Sequence, residues 1–457
     1  MKKTILMILA LGIYLIFIPD YSNFALELKA FAALAIIQIL WIGRVFPLAH
    51  SSIILMLILS FHFFSYEETL SYIGSDIVWL LFSTFFISHS FINTGLASRV
   101  SLAVLKMSKG SSRSLILISY VLMFLLSLMI PSNVGKGSLV SSVFDDLLKN
   151  VRKIGEVENL GKSLFIGIAY ITSISGSVVA TGASSTIYTF GILNENMEGL
   201  NYVSWLLLFA PPTILFALIL WLISLSVFPP EKIDSQALLQ TLNKKSEEMG
   251  RLSLPEIKVI FILILILVLW STQHFHDISI PLTGLLGAAL TITPKIGVWT
   301  WEEAKRAIDW DMVIFFAATI MVAGMLIQTG TINLVSDFLV NNIPLEMPIL
   351  VLFLLILITA LIRLIFVNVL GLLTIILPLS VTVGQSLSGL SPGVVTMAVF
   401  LAGVPGFLFV TQSPVHLIAF SYKYFTERDL LKIGSFSMIA WVMVITLAAS
   451  LYWRLLL

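Results

Sequence analysis

Residues 131–138 read PSNVGKGS and interrupt an otherwise apolar sequence. Before them, 114–130 forms one apolar arm, and after them 139–148 forms a shorter one. About ten helical residues rise only about 15 Å, which is half of a hydrocarbon core of about 30 Å. The return arm is therefore predicted to be too short to cross a bilayer. The segment is interpreted as a re-entrant helical hairpin with its tip at membrane depth.

A second segment repeats this pattern later in the chain. Residues 348–366 form an apolar arm, 367–371 (VNVLG) form a turn, and 372–384 lead back. The flanking residues Asp337 and Glu346 are acidic, and no basic residue accompanies them. Because Lys and Arg collect on the cytoplasmic side, this hairpin is predicted to enter from the extracellular side.

The composition around the hairpins is that of a membrane protein. Of 457 residues, 58% are hydrophobic and 11% are charged, against about 25% charged in soluble domains. A net charge of +1 gives no electrostatic basis for nucleic-acid binding, and the absence of cysteine excludes thiolate chemistry. The chain is predicted to be an all-α polytopic membrane protein with eleven transmembrane helices, near 4–19, 26–43, 48–64, 76–95, 163–193, 202–228, 256–272, 280–293, 310–330, 393–420 and 433–453.

The basic residues predict the orientation of these helices. Most Lys and Arg fall on one side when the N-terminus is placed in the cytoplasm and the C-terminus outside. The arrangement requires each hairpin to return to the side it came from. We therefore expect a multi-pass protein of the cell inner (plasma) membrane.

The two halves of the chain also align with each other. A shift of 235 positions pairs 76–79 (DIVW) with 311–314 (DMVI), and Asn133 with Asn368. The paired spans run in opposite directions in the predicted topology, which indicates an inverted repeat. Two spans are interrupted by polar and glycine-rich stretches, at 172–177 and 181–186 and at 403–406 and 411–414. Inverted repeats with broken helices are typical of secondary transporters.

These motifs resemble those of the divalent anion/sodium symporter family (sodium:dicarboxylate/sulfate symporters) of the ion transporter superfamily. That family carries Ser-Asn-Thr at each hairpin tip and a Thr-Pro-Pro-Asn-like stretch in each broken helix. Here the tips read SNV at 132–134 and VNV at 367–369, and the breaks read ASST at 183–186 and SPVH at 413–416. The resemblance covers nearly the whole chain, most closely 74–200 and 300–435.

The resemblance implies a homodimer that works as an elevator. A scaffold, 1–113 and 256–344, would hold still while a transport domain, 114–228 and 345–457, moves; 229–255 would be a cytoplasmic linker. It also implies two sodium sites, with sodium as coupling ion and no other cofactor. The sites would involve, at the first hairpin, Ser132, Asn133 and Gly176, and at the second, Asn368, Pro405 and Gly406.

Candidate substrate-binding residues lie at the tips and breaks: Ser132, Asn133, Lys136, Arg363, Asn368, Thr181, Ser184, Thr411 and Ser413. An asparagine offers both a donor and an acceptor, although it could instead cap its own helix. Lys136 either binds the anion or occupies a vacated sodium position; alternatively it reaches the cytoplasmic vestibule or pairs with Asp145 or Asp146. Arg363 suits a carboxylate, sulfate or phosphate, or else pairs with an acidic neighbour.

The predicted function is secondary active transport of small anions, with di- and tricarboxylates favoured and sodium as the candidate coupling ion. One alternative is a sodium-independent exchanger or exporter of sulfate, phosphate-bearing or other oxyanions, with Lys136 replacing a sodium ion. Another is a non-transporting receptor or channel. No HExxH motif or serine-histidine-acid set is present, so an enzyme is not expected. Expected partners are the anion, the lipid bilayer and a second copy of the chain, without nucleic acid.

Overall fold

The computed structural model describes the chain except for Met1, Asp20, Ile154 and 343–345, and except for the side chains of 338–342. Helix accounts for 78% of the chain, and the described residues contain no strand. The predicted domain boundary between 344 and 345 lies outside the described residues.

Six helices come before the first hairpin. They are α1 (Lys2–Phe17), α2 (Leu26–Ile42), α3 (Leu48–His62), α4 (Tyr66–Ile73), α5 (Asp76–Asn93) and α6 (Leu96–Lys106). The hairpin, the first broken helix and a long span follow as α7 (Ser112–Ser127), α8 (Asn133–Val151), α9 (Glu158–Gly176), α10 (Ser184–Asn196) and α11 (Tyr202–Val227). The polar linker contains one helix, α12 (Ser235–Glu248).

The second half begins with α13 (Leu254–Ser271), α14 (Gln273–His276), α15 (Ile280–Ile292), α16 (Trp301–Ala307), α17 (Trp310–Gln328) and α18 (Thr331–Asn342). It continues with α19 (Pro348–Ile362), α20 (Val369–Ser386), α21 (Pro392–Gly403), α22 (Pro414–Ser421), α23 (Glu427–Leu447) and α24 (Trp453–Leu456). A π-helical turn, Ala448–Tyr452, joins the last two.

The order of helices in the first half recurs in the second. Helices α5 to α11 and α17 to α23 each run as span, short helix, hairpin, broken helix and long span. Both arms of each hairpin pack on the first piece of their own broken helix, which is α9 or α21. The second pieces cross over, because α10 packs on α20 and α22 packs on α8. The two hairpins are thereby held in one interlocked unit.

The return arms of the hairpins are longer than predicted. Helix α8 starts at Asn133 because the Ser132 hydroxyl caps it by accepting from Gly135 N (3.1 Å). Gly135, Lys136 and Gly137 therefore lie in the first two helical turns instead of in a loop. With 19 residues, α8 is about 28 Å long, so the prediction of a ten-residue arm is wrong. Re-entrance of the hairpins no longer follows from arm length and stays a prediction.

Six helical stretches in the described residues are long and apolar enough to cross a membrane: Tyr66–Asn93, Tyr202–Val227, Leu254–Ser271, Trp310–Gln328, Val369–Ser386 and Glu427–Leu456. One of them, Val369–Ser386, is the return arm of the second hairpin. The chain is therefore an all-helical membrane protein, while the count of eleven transmembrane helices stays a prediction.

The breaks are single gaps in each broken helix. The first is 177–183, so Thr172 to Gly176, predicted as part of the interruption, are helical. The second is 404–413 and contains one 3-10 turn, Val410–Gln412. Tyr170 on α9 ties the second break to α23, since its hydroxyl contacts Phe407 O (2.8 Å) and Leu430 O (2.9 Å).

Gly434 allows α23 to lie directly on this break, because a Cβ at that position would clash with the Phe407 carbonyl. We expect Gly434→Ala to destabilise the fold by about 1–3 kcal/mol, since backbone cannot move aside as a flexible side chain can. Thermal unfolding of the detergent-solubilised protein measures this. Gly12→Ala in α1 is the control, because nothing lies within 4 Å of its Cβ. Equal melting temperatures for the two variants would contradict the close packing.

Candidate functional site

Both hairpin tips and the starts of the second pieces of both broken helices border one cavity with a volume of about 690 Å³. The first tip contributes 131–134 and the second 366–371. Ser184 and Ser185 begin α10 directly after the first break, and 413–415 lie where the second break meets α22. Four segments that are far apart in sequence therefore form one wall of a single site.

Each of these segments is the N-terminal end of a helix. Helices α8, α10, α20 and α22 begin at Asn133, Ser184, Val369 and Pro414. The first turn of a helix carries unpaired N–H groups and a partial positive charge, which favours anions. Four such ends directed at one cavity make a site suited to a small anion.

The two paired asparagines differ in what they do. Asn368 caps its own helix, since its Oδ1 accepts from Leu370 N (2.9 Å). In the first tip Ser132 is the cap, and Asn133 Oδ1 is buried without a hydrogen-bond partner among the described residues. A Cβ at Gly176 would lie 3.0 Å from this oxygen. Asn133 therefore holds a free acceptor against the first break, whereas Asn368 has the capping role.

Lys136 is fully buried next to the cavity but is not among the residues that line it. Its Nζ donates to Ser127 Oγ (2.7 Å) and to Gly182 O in the first break (3.1 Å). The predicted alternative of a pair with Asp145 or Asp146 is wrong. Those carboxylates contact Lys149 and Lys245 instead. The ammonium thus joins the first hairpin to the broken helix that faces it.

Arg363 makes the corresponding hydrogen bonds in the second half of the chain. It ends α19 and is buried, and its guanidinium donates to Phe366 O in its own tip and to Gln412 O in the second break (2.9 Å). Gln412 returns the contact, because its Nε2 donates to Arg363 O (3.3 Å). The alternative of an acidic partner for Arg363 finds no support in the part of the chain that the structure describes.

The remaining predicted residues divide between the cavity and its surroundings. Ser132, Ser184 and Ser413 line the cavity. Thr181 instead borders a small space beside Trp270, with room for about one water molecule (about 10 Å³). The other predicted residues stand outside the cavity lining and stay predictions as ligands: Thr411, Gly176, Pro405 and Gly406.

Sequence reasoning missed the wall opposite the tips. Gln38 and Trp41 on α2, Ser51 on α3, Phe85 on α5 and Phe315 on α17 all line the cavity. They lie in apolar spans, where the hydrophobic pattern of the sequence does not distinguish cavity-lining residues from lipid-facing or core residues. A polar residue within a span is the one available signal, and of these residues Gln38 and Ser51 carry it.

Comparison with known proteins identifies the class. A family model described as the sodium:sulfate symporter transmembrane region matches residues 1–457. The chain belongs to this family, which confirms the resemblance to the divalent anion/sodium symporters. It is therefore a multi-pass membrane transport protein and not an enzyme.

Individual relatives are distant. YflS of Bacillus subtilis, assigned as a malate transporter, is 28% identical over 355 residues, which is 74% of this chain and 72% of YflS. The citrate/succinate antiporter of Escherichia coli K12 is 22% identical over 79% of this chain and 75% of its own. The crystal structure of the Alcanivorax borkumensis YdaH transporter shares the fold, with a TM-score of 0.52 at 13% identity, over 83% of this chain and 86% of YdaH.

The contacts of Lys136 predict that two buried serine hydroxyls near the first hairpin contribute differently to the unfolding free energy. We expect Ser127→Ala to lower the unfolding free energy by about 1–3 kcal/mol, because it removes a hydrogen-bond acceptor from a buried ammonium. Ser141 on α8 is also buried, but its hydroxyl has no partner in the described structure. Ser141→Ala should therefore be neutral or stabilising. Thermal unfolding of both variants checks this, and a neutral Ser127→Ala would contradict the assigned role.

Proposed function

We propose that the protein carries small di- or tricarboxylate anions across the membrane. The observation that supports this most strongly is the convergence of four helix N-termini on one cavity. The relatives point to the same substrates, since their names refer to malate and to citrate and succinate. Sulfate, phosphate-bearing and other oxyanions are the alternative substrates for the same arrangement of donors.

The coupling we propose is sodium-independent exchange. The family resemblance implies a sodium ion between each tip and its break. Here Lys136 and Arg363 each place a fixed positive charge on break carbonyls in that region. Fixed cations would take over the electrostatic role of the ions without being transported. The relative named as an antiporter supports this mode.

Sodium symport is the second candidate, and one observation favours it. Asn133 Oδ1 is a buried acceptor without a partner in the described residues, and Gly176 lies next to it. Hard cations prefer oxygen ligands of this kind. No group of three or more His, Asp or Glu side chains occurs among the described residues, so backbone and amide oxygens would have to supply the ligands.

For the movement itself we propose an elevator built on the inverted repeat, in a homodimer. The crossed packing of α10 on α20 and of α22 on α8 supports a unit that moves as one body. Residues of this unit and of helices α2, α3, α5 and α17 together line the cavity. We place the protein in the inner membrane with a cytoplasmic N-terminus and an external C-terminus.

Uptake of labelled succinate and citrate into proteoliposomes tests substrate and coupling together. We expect uptake to require internal anion and to be unchanged when a sodium gradient is removed, because Lys136 and Arg363 hold the break carbonyls. In Lys136→Met we expect sodium to stimulate uptake, since Gly182 O is then released and can bind the ion together with Asn133 Oδ1, which is already free. Lys149→Met is the control, as that lysine is largely exposed and paired with Asp145. Sodium-dependent uptake by the unaltered protein would favour symport instead.

The two asparagines give a separate prediction. We expect Asn133→Ala to weaken anion affinity about tenfold, because the anion loses the donor of the side-chain amide. Stability should not fall, since the amide oxygen has no structural partner to lose. Asn368→Ala should instead cost about 1 kcal/mol of stability through the lost cap, and Asn368→Ser should restore it. Equilibrium binding and thermal unfolding separate the two outcomes. Full transport in both alanine variants would show that the site lies elsewhere.

A further inference from the structure

The wall of the cavity opposite the hairpin tips carries hydrogen-bond donors. Gln38 and Trp41 are three residues apart on α2 and so share one face of the helix. Both line the cavity, as do Lys3 on α1 and Arg44 in the turn after α2. We call these four residues the donor wall. Lys, Arg and Trp side chains donate and do not accept.

Two of these donors have no partner. Gln38 Nε2 and Trp41 Nε1 are buried, and neither has a hydrogen-bond acceptor among the described residues. Burying a donor in this way is unfavourable, so each such group needs an explanation. Both side chains line the cavity, so an acceptor on a molecule bound there would remove the penalty.

Trp41 is firmly placed beside the second tip. Its indole packs edge-on against Phe315, with ring centroids 4.6 Å apart. On the other side, its ring lies 3.9 Å from the position of a Cβ at Gly371, in the first turn of α20. The donor wall and the anion-binding helix ends therefore border the same compartment.

The charges at the wall point to an anionic group. Lys3 and Arg44 are exposed at the edge of the cavity. The acidic residue that also lines it, Asp309, uses its Oδ1 to accept from Met312 N at the start of α17. Lys3 and Arg44 outnumber the single carboxylate of Asp309, so the net charge at this edge of the cavity is positive. A cleft lined by one sign of charge concentrates ions of the opposite sign.

We propose that the donor wall binds a second acidic group of the substrate. The first group lies at the helix N-termini of the tips, the second lies at Gln38 and Trp41, and Lys3 and Arg44 attract it. Phe85, Phe315 and Phe366 also line the cavity, so the body of the substrate is expected to be apolar. The preferred substrate class is an elongated dianion with two acidic ends and an apolar body.

The cavity volume agrees with this class. At about 690 Å³, it falls within the range of about 300–1,000 Å³ for sites that hold drug-sized molecules. A four-carbon dicarboxylate fills only a small part of this volume. This inference rests on the proposed function, because it assumes that the helix N-termini hold one carboxylate.

Competition against labelled succinate, with the purified protein, tests the inference. The competitors are unlabelled succinate, the eight-carbon dicarboxylate suberate and the matching monocarboxylate octanoate. Suberate should bind about tenfold more tightly than either, since its second carboxylate gains hydrogen bonds from the donor wall. Gln38→Met and Trp41→Phe should each remove most of this advantage.

Trp299→Phe is the matched control for Trp41→Phe. Trp299 Nε1 is also buried without a partner in the described chain, but Trp299 does not line the cavity. Removing the indole N–H of Trp299 should not change the preference for suberate. If succinate and suberate bind equally, or if the Gln38 and Trp41 variants keep the preference, the inference is wrong and the proposed function stands. If no carboxylate binds or is taken up, the proposed function fails and the inference fails with it.

Discussion

A membrane interior offers no water to unpaired backbone groups, so a broken helix is stable there only if something else pairs its free N–H and C=O groups. This constraint explains the arrangement around the cavity. One carbonyl of each break is paired from a hairpin, by Lys136 on Gly182 O and by Arg363 on Gln412 O. Side-chain caps pair one N–H group at each of three helix starts, through Ser132, Asn368 and Ser413. The four helix starts border the cavity, where a bound anion would pair N–H groups of the first turn that remain free.

The pairing also fixes the charge of the site. Lys136 and Arg363 are buried, and no acidic partner for either occurs in the described part of the chain. Isolated buried charges are unfavourable unless hydrogen bonds or an opposite charge compensate them. Carbonyl dipoles supply part of that compensation, and a bound anion would supply more. The same residues that stabilise the breaks therefore favour a negatively charged substrate.

The repeat is regular in helix order but not in chemistry. A lysine on the return arm of the first hairpin corresponds in role to an arginine at the end of the entering arm of the second. One tip asparagine caps its helix, and the other leaves its oxygen free. Membership in the sodium:sulfate symporter family fixes the architecture. We propose that coupling and substrate choice depend on these local differences and on the donor wall.

The sequence alone determined the membrane class, the position of most helices and the location of both hairpins. Hydropathy is a local property, and spans such as α2, α5 and α11 begin within two residues of their predicted starts. The paired asparagines were also visible, because a repeat preserves spacing. Tertiary structure decided the rest. Ser132 as a cap lengthened α8, and the partners of Lys136 and Arg363 lie 46 and 49 positions away. Trp41 joined the site only because folding brings α2 against the second tip, and no local pattern encodes a contact between residues so far apart in the chain.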